Sequence, residues 1–195
     1  MKYTDKTCSF TGYRPKKLNA CLSGEFNILQ LQELLKKQMQ KMLDNGVSDF
    51  QCGMAIGSDL MFAQIAVALK ERYPGLVKFS AAVPCLDHDK NWGEQDRSLC
   101  RELLGKADSV VYVSESRYYD GCMAKRNRYL VDTCDELLAI YDGQRGGTMQ
   151  TINYAKKLGR KVTIINPRAL EIITLRETNP MLSSKYGSFA QEELI

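Results

Sequence analysis

The sequence predicts an α/β protein of the Rossmann-like type, a three-layer sandwich with a mostly parallel sheet of about six strands and helices on both faces. Short apolar runs alternate along the chain with longer segments in which apolar residues have helical spacing. This is the pattern of parallel strands joined by crossover helices. The length of 195 residues suits one such domain. We therefore predict a single domain over residues 1–167 and a C-terminal extension over residues 168–195.

The first half of the chain contains two predicted strands and two predicted helices. The first strand covers Thr7 to Thr11, and Gly12 to Pro15 ends it because glycine and proline break extended structure. From Phe26 to Leu43 the apolar residues have the spacing of an amphipathic helix. Asp49 to Gly53 is a second, weaker strand. The segment from Leu60 to Leu69 is apolar nearly all round, so we expect a helix at the centre of the fold.

The second half continues the alternation. Further strands are predicted at Leu76 to Val83, Asp108 to Val113, Leu137 to Tyr141 and Lys161 to Ile165. Helices are predicted at about Gly93 to Lys106, around Lys125 to Arg128, and from Met149 to Leu158. Beyond Arg168 the pattern weakens, with a short edge element over Ala169 to Leu175 and a loosely attached tail from Glu177 to Ile195. Right-handed crossovers predict the strand order 3-2-1-4-5-6, with strands numbered along the chain.

Composition limits the classes of partner. A formal net charge of +4 is mild and the lysine pairs are spread along the chain, so the sequence does not favour nucleic acid. No apolar run approaches the roughly 18 residues of a membrane span, and the first ten residues lack the apolar core of a signal peptide. We therefore expect a cytoplasmic protein without a membrane partner.

The cysteine and histidine pattern does not indicate a metal site or disulfides. The seven cysteines form no C-x-x-C pair, which predicts reduced, mostly buried thiols. The only histidine, His88, lies in a loop-like stretch without the partners that a zinc site or a Ser-His-Asp triad needs. We expect His88 to be solvated, and we predict neither a metal ion nor a resident cofactor.

The clearest candidate site follows the strand at Leu137 to Tyr141. Asp142 begins a turn in which Gly146, Gly147 and Thr148 precede a helix. A strand, a glycine-rich turn and a helix start leave backbone N–H groups and the positive end of the helix dipole free for an anion. The alternative is a tight connection that needs glycine for its backbone angles. Asp142 itself is more typical of a turn residue than of a ligand contact.

Several other loops carry candidate residues. Ser58 and Asp59 follow Gly57 and either cap the next helix or meet a ligand, with Asp59 on a ribose hydroxyl or a water. Trp92 either stacks on a base or covers the sheet edge, as aromatic residues often do. Arg126 and Asn127 are expected to reach inward, whereas Lys125 and Arg128 are more typical of a solvated helix face.

These loops should meet at one edge of the sheet. In the order 3-2-1-4-5-6 the winding reverses between strands one and four, and ligands of such sheets bind in that crevice. The loops at Gly12 to Pro15, Gly57 to Asp59, Ser114 to Asp120 and Gly146 to Thr148 all follow strands. The predicted ligand-binding residues are Gly12, Tyr13, Arg14, Gly57, Ser58, Asp59, Trp92, Arg126, Asn127, Asp142, Gly146, Gly147 and Thr148. The predicted partner is a phosphate-bearing small molecule.

The order and spacing of these motifs resemble the YpsA-like branch of the SLOG superfamily. The motifs are Phe10 to Pro15, Gly53 to Asp59, Lys90 to Arg97, Lys125 to Arg128, Asp142 with Gly143, and Gly146 to Thr148. The resemblance covers about Cys8 to Pro167. It implies a bacterial Rossmann-like domain that binds a nucleotide or a nucleotide-derived ligand, related to the phosphoribohydrolases that release cytokinin bases and to the DNA-processing protein DprA. Some members of this branch are linked to cell division in Gram-positive bacteria. From the resemblance we also expect a homodimer.

One departure from the related hydrolases leaves the function open. Those enzymes carry P-G-G-x-G-T-x-x-E, and Thr151 stands where their glutamate would fall. Asp59 is then the only well-placed carboxylate for cleaving an N-glycosidic bond. Three hypotheses follow: a module that binds or senses a nucleotide-like ligand, which we favour, a hydrolase of nucleoside monophosphates with Asp59 as its catalytic group, and an interaction protein with a vestigial crevice.

Overall fold

A seven-stranded sheet forms the centre of the protein in a computed structural model, which describes residues 6–22 and 27–175. The strands are β1 (Lys6–Thr11), β2 (Val47–Cys52), β3 (Lys78–Val83), β4 (Ser109–Tyr112), β5 (Glu136–Ile140), β6 (Lys161–Asn166) and β7 (Glu171–Leu175). Their order is β4-β3-β2-β1-β5-β6-β7. All neighbours are parallel except β7, which runs antiparallel to β6.

The α/β class is confirmed, but the predicted strand order is wrong. The fourth strand pairs with β3 at the edge of the sheet, and β5 takes the place beside β1, with Phe10 opposite Leu138. Every residue of β5 is buried, whereas β4 is mostly exposed. A strand in the middle of a parallel sheet must be apolar on both faces, so β5 suits the central position and β4 the edge.

Helices cover both faces, as predicted. They are α1 (Pro15–Cys21), α2 (Ile28–Asp44), α3 (Ser58–Arg72), α4 (Glu94–Lys106), α5 (Cys122–Asp132) and α6 (Gly147–Lys157). The strands from β1 to β4 proceed in one direction, so right-handed crossovers put α2, α3 and α4 on one face. The chain then returns from β4 to β5, which puts α5 and α6 on the other face, where they pack together.

The core is centred on α3, as its apolar sequence predicts. Phe62 of α3 stacks on Phe10 with ring centroids 4.6 Å apart and meets Phe50 edge to face. All seven cysteines are buried and free, as the absence of paired spacing predicts. Within residues 6–22 and 27–175, none of the helices has both the length and the apolar character to cross a membrane.

The C-terminal segment begins with the predicted edge element. β7 pairs antiparallel with β6, and Ile173 lies opposite Ile164. The sheet therefore continues past residue 167, where the sequence suggested that the domain ends. The predicted tail from Glu177 to Ile195 lies outside the described residues, as does the predicted helical start at Phe26, and α2 begins at Ile28 after the side-chain cap Asn27.

Candidate functional site

The winding of the sheet reverses between β1 and β5, and a cleft of about 410 Å³ lies there at the carboxyl ends of the strands. We call it the switch-point cleft. It is lined by Phe10, Thr11, Gly12, Tyr13, Arg14, Lys16, Lys17, Ala55, Asp59, Met123, Arg126, Asn127, Gly147 and Thr148. The corrected strand order moves this crevice from strands one and four to β1 and β5. The prediction that the loop from Ser114 to Asp120 reaches this crevice is wrong, because the crossover helix α5 lines it instead with Met123, Arg126 and Asn127.

The loops after β1 and β2 are locked together beneath the cleft. The Ser58 backbone N–H and hydroxyl both donate to the Tyr13 carbonyl, at 3.1 and 2.8 Å. Gly57 has φ +98°, and a Cβ there would lie 2.9 Å from the Tyr13 oxygen. A Cβ on Gly12 would lie 2.6 Å from the Ser58 Cβ. These glycines are needed because two backbones approach closely.

Of the two alternatives for Ser58 and Asp59, the one in which either residue caps α3 is wrong. The cap residue is Gly57, which provides no side-chain hydrogen bond, and α3 begins at Ser58. The Ser58 hydroxyl is fully buried and occupied by Tyr13. The Asp59 carboxylate turns back to accept from the Ala55 N–H at 3.2 Å. Ser58 is therefore structural, whereas Asp59 lines the cleft.

A buried ion pair crosses the cleft floor. Arg126 of α5 lies 3.3 Å from the Asp59 carboxylate through Nη1, and both residues are about 5% exposed or less. The guanidinium rests on Gly53, where an added Cβ would lie 1.2 Å from Nη1. Burial raises the pKa of Asp59, and the charge of Arg126 opposes that rise. The Arg126 Nε has no hydrogen-bond partner among the described residues, so this cation has donor capacity left.

The glycine-rich turn places the start of α6 on the cleft. Gly146 is the cap residue, at φ +147° and ψ −171°, and as a glycine it has no side chain with which to cap the helix. The first backbone N–H groups of an uncapped helix are available to a ligand. Thr148 donates its hydroxyl to the Gly12 carbonyl at 3.2 Å, which ties the turn to the loop after β1. Asn127 approaches the other side, with Nδ2 3.8 Å from the position of a Cβ on Gly147.

Asp142 holds Tyr13 rather than facing the cleft. Its carboxylate is 1% exposed and accepts from the Tyr13 hydroxyl, from Arg168 Nε at 2.7 Å and from the Cys21 thiol at 3.4 Å. Burial alone would raise the pKa of Asp142, but the hydrogen bonds from Tyr13 and Arg168 outweigh it and lower the pKa. Asp142 is thus a positioning residue.

We expect Asp142→Asn to lower the free energy of unfolding by about 2–3 kcal/mol at pH 7, because an amide cannot accept from all these donors. The native pKa of Asp142 is lowered, so its contribution is present above the unfolded pKa of about 4 and is lost as pH falls through the native pKa. Urea denaturation should show a constant gap between wild type and variant from pH 8 to about 5. A gap that widens below about pH 4 would contradict this assignment.

The structure brings together most, but not all, of the predicted site residues. The switch-point cleft is lined by eight of them, Gly12, Tyr13, Arg14, Asp59, Arg126, Asn127, Gly147 and Thr148. It is not lined by Gly57, Ser58, Asp142 or Gly146. On α5, Lys125 and Arg128 are exposed as expected. Sequence reasoning missed Lys16 and Lys17, although their position directly after Pro15, at the exit of the first strand, was an available signal.

Trp92 lies in a second cleft, of about 440 Å³, which we call the aromatic cleft. The aromatic cleft is lined by Arg14, Ile56, Asp87, His88, Lys90, Asn91, Trp92, Gly93, Tyr118 and Met123. The expectation that His88 is solvated is wrong, because His88 is half-buried and packs edge to face against Trp92 with centroids 5.3 Å apart. Burial lowers the pKa of the His88 imidazole.

Thr151, at the position of the related hydrolases' glutamate, has no free functional group in the cleft. The residue is 3% exposed and its hydroxyl donates to the Gly147 carbonyl at 2.8 Å. Asp59 is the only carboxylate that lines the switch-point cleft among the described residues. Any chemistry that needs a carboxylate there depends on Asp59.

Fold and cleft together define a Rossmann-like α/β protein with a switch-point cleft in which four cationic side chains accompany one carboxylate. The chain belongs to the family described as the YspA SLOG family (YpsA), whose model matches residues 8–176. This confirms the resemblance found in the sequence. The chain is 28% identical over 144 residues to a UPF0398 protein of Bacillus pumilus, covering 73% of this chain and 77% of the relative.

A second sequence relative agrees with the family assignment, and a solved structure shares the fold. The UPF0398 protein YpsA of Bacillus subtilis is 26% identical over 144 residues, covering 73% of this chain and 79% of the relative. DNA processing protein A of Helicobacter pylori, described for its single-stranded DNA binding mode, superposes with a TM-score of 0.59 at 16% identity. That match covers 94% of this chain and 74% of the H. pylori chain. At this identity the likeness supports the fold alone.

Proposed function

We propose that this protein binds, or senses, a nucleotide or a nucleotide-derived ligand, and that the ligand's phosphate lies in the switch-point cleft. The observation that carries the proposal is the meeting of two donors in one cleft. The start of α6 and the buried Arg126 both line it, and the Arg126 Nε has no hydrogen-bond partner among the described residues. A helix start and a guanidinium are the two groups that proteins use most readily for phosphate.

The charge of the cleft supports an anionic ligand. Arg14, Lys16, Lys17 and Arg126 face a single carboxylate, Asp59. Only Arg126 has a carboxylate within ion-pair distance in the part of the chain that the structure describes, since Lys17 donates to the Arg145 carbonyl instead. Clustered cations in a concave site attract and retain anions. Membership of a SLOG family is in keeping with a nucleotide-related role.

The first test is the charge-reversing variant Gly147→Glu. A carboxylate at this position would occupy the anion site and repel phosphate. The unliganded variant should remain as stable as wild type or gain up to about 1 kcal/mol, because an acidic side chain at a helix start is favourable and a Cβ there meets only ordinary contacts. The matched control is Gly105→Glu, an exposed position on α4 with nothing within 4 Å of an added Cβ.

Thermal shift would be measured with AMP, ADP, ADP-ribose, NAD, inorganic pyrophosphate and a single-stranded oligodeoxynucleotide, the last because the H. pylori relative binds such DNA. A ligand at about 100 times its dissociation constant adds roughly 2.7 kcal/mol of stability. We expect at least one phosphate compound to stabilise wild type and Gly147→Glu to lose that shift while Gly105→Glu keeps it. If no compound shifts wild type, or if Gly147→Glu responds equally, the proposed function is wrong.

One observation favours hydrolysis as a second candidate function. Burial raises the pKa of Asp59, which lines the cleft, and a carboxyl with a raised pKa can act as a general acid. This candidate predicts that incubation with a nucleoside monophosphate releases the free base, measured by chromatography, and that Asp59→Asn abolishes release while leaving phosphate binding in place. Binding without release would favour the sensor.

A further inference from the structure

The aromatic cleft adjoins the switch-point cleft directly. Arg14 and Met123 line both, so a ligand that leaves one cleft at these residues enters the other. Each cleft is near the lower end of the roughly 300–1,000 Å³ typical of ligand pockets. The two cavities, of about 410 and 440 Å³, therefore offer an elongated ligand a longer site than either provides alone.

The two clefts differ in chemistry. In the aromatic cleft Lys90 is paired with Asp87 at 3.1 Å, so its charge is largely neutralised. The aromatic cleft is also lined by the rings of Trp92, His88 and Tyr118. The edge-to-face contact between His88 and Trp92 fixes the indole, and fixed aromatic faces are platforms on which any base can stack.

The switch-point cleft holds more positive charge than one phosphate requires. Arg14, Lys16 and Lys17 have no carboxylate within ion-pair distance among the described residues, and Arg126 adds a donor that is not used by Asp59. Together with the start of α6, these groups can contact more than one phosphate. Arg14, at the junction, lies between the cationic half and the aromatic half.

We propose, on the basis of the proposed function, that the ligand is a nucleoside 5′-diphosphate or a larger compound that contains one. Its diphosphate lies in the switch-point cleft, and its base stacks on Trp92 in the aromatic cleft. Arg14 and Met123 flank the sugar between them.

The protein carries a natural reporter for this arrangement, because Trp92 is its only tryptophan. A base that stacks on the indole should quench its fluorescence, whereas inorganic pyrophosphate should bind without stacking. The 195-residue chain would be titrated with ADP, GDP, CDP, UDP, AMP and inorganic pyrophosphate, with fluorescence and calorimetry recorded together. We expect one diphosphate to quench Trp92 and to bind at least about tenfold more tightly than pyrophosphate or its own monophosphate, since base stacking and a second phosphate each contribute.

The variant Trp92→Leu separates the two halves of the site. It should weaken the nucleoside diphosphate about 10- to 100-fold and leave pyrophosphate affinity unchanged, because only the base contacts the indole. If pyrophosphate and every nucleotide bind equally well and the fluorescence is constant, the base does not lie on Trp92 and this inference is wrong, while the proposed function stands. If neither pyrophosphate nor any nucleotide binds, both are wrong. The fluorescence of wild type decides the question even if Trp92→Leu fails to fold.

Discussion

Replacing Arg126 with methionine is expected to lower the free energy of unfolding by about 3–5 kcal/mol at pH 7, which is the usual cost of removing one partner from a buried ion pair. Methionine fills much of the same volume over Gly53 but leaves the Asp59 carboxylate without its cation. Urea denaturation followed by circular dichroism measures the effect. The matched control, Arg117→Met, changes an exposed arginine in the loop after β4 and should cost less than about 0.5 kcal/mol.

The cost of Arg126→Met should depend on pH in a defined direction. Burial raises the native pKa of Asp59 above its unfolded value, and loss of Arg126 raises it further. A protonated Asp59 is neutral and needs no cation. The stability that the native state gains from protonating Asp59 is therefore fully present below the unfolded pKa and is lost as pH rises through the native pKa. The variant should therefore be closest to wild type at about pH 4–5 and furthest from it at pH 8.

A double variant tests whether the ion pair is the cause. Asp59→Asn combined with Arg126→Met removes both charges and should be more stable at pH 8 than Arg126→Met alone, because no unpaired charge remains buried. An equal cost of Arg126→Met, relative to wild type, at pH 5 and pH 8 would show that Asp59 does not depend on Arg126.

Gly57→Ala is expected to lower the free energy of unfolding by about 2–4 kcal/mol, the sum of an unfavourable backbone conformation and a steric clash. Gly57 has φ +98°, and an added Cβ would lie 2.9 Å from the Tyr13 carbonyl and 3.0 Å from Pro15 Cδ. The carbonyl belongs to the backbone and also accepts from Ser58, so it cannot move away without breaking that contact.

Gly75→Ala is the matched control for Gly57→Ala. Gly75 also has a positive φ, +76°, but nothing lies within 4 Å of an added Cβ. It should show only the conformational cost, about 1 kcal/mol. The difference between the two variants, measured by urea denaturation under the same conditions, reports the contact between the loops after β1 and β2 together with the less favourable backbone conformation of Gly57, φ +98° and ψ −122°. If the two cost the same, that close approach is absent.

Local signals explain what the sequence predicted correctly. The apolar run of β5 and the glycines that follow it are adjacent in the chain, so the strand, the turn and the start of α6 could be predicted together. The inward positions of Arg126 and Asn127 and the outward positions of Lys125 and Arg128 follow from helix geometry. Each of these inferences depends on residues within one or two turns of each other.

Features that depend on distant residues were not predictable in the same way. The apolar runs of β4 and β5 look alike in sequence, and only packing on both faces places β5 beside β1 and β4 at the edge. The Asp59–Arg126 pair joins residues 67 positions apart, and neither residue carries a local sign of the other. For the same reason Ser58 resembled a helix cap although Tyr13, on another loop, holds it.

The position of β5 beside β1 has a consequence for the order in which the protein folds. The cleft takes residues from Phe10 to Thr148, so no fragment that lacks either end of this interval contains the whole lining. β5 must insert beside β1, its partner about 130 positions away in sequence, before the first amides of α6 can line the cleft together with Arg126. Such non-local pairing is slow to form. Anion binding would therefore distinguish chains whose sheet has formed completely. A truncated or partly folded chain would not bind the anion.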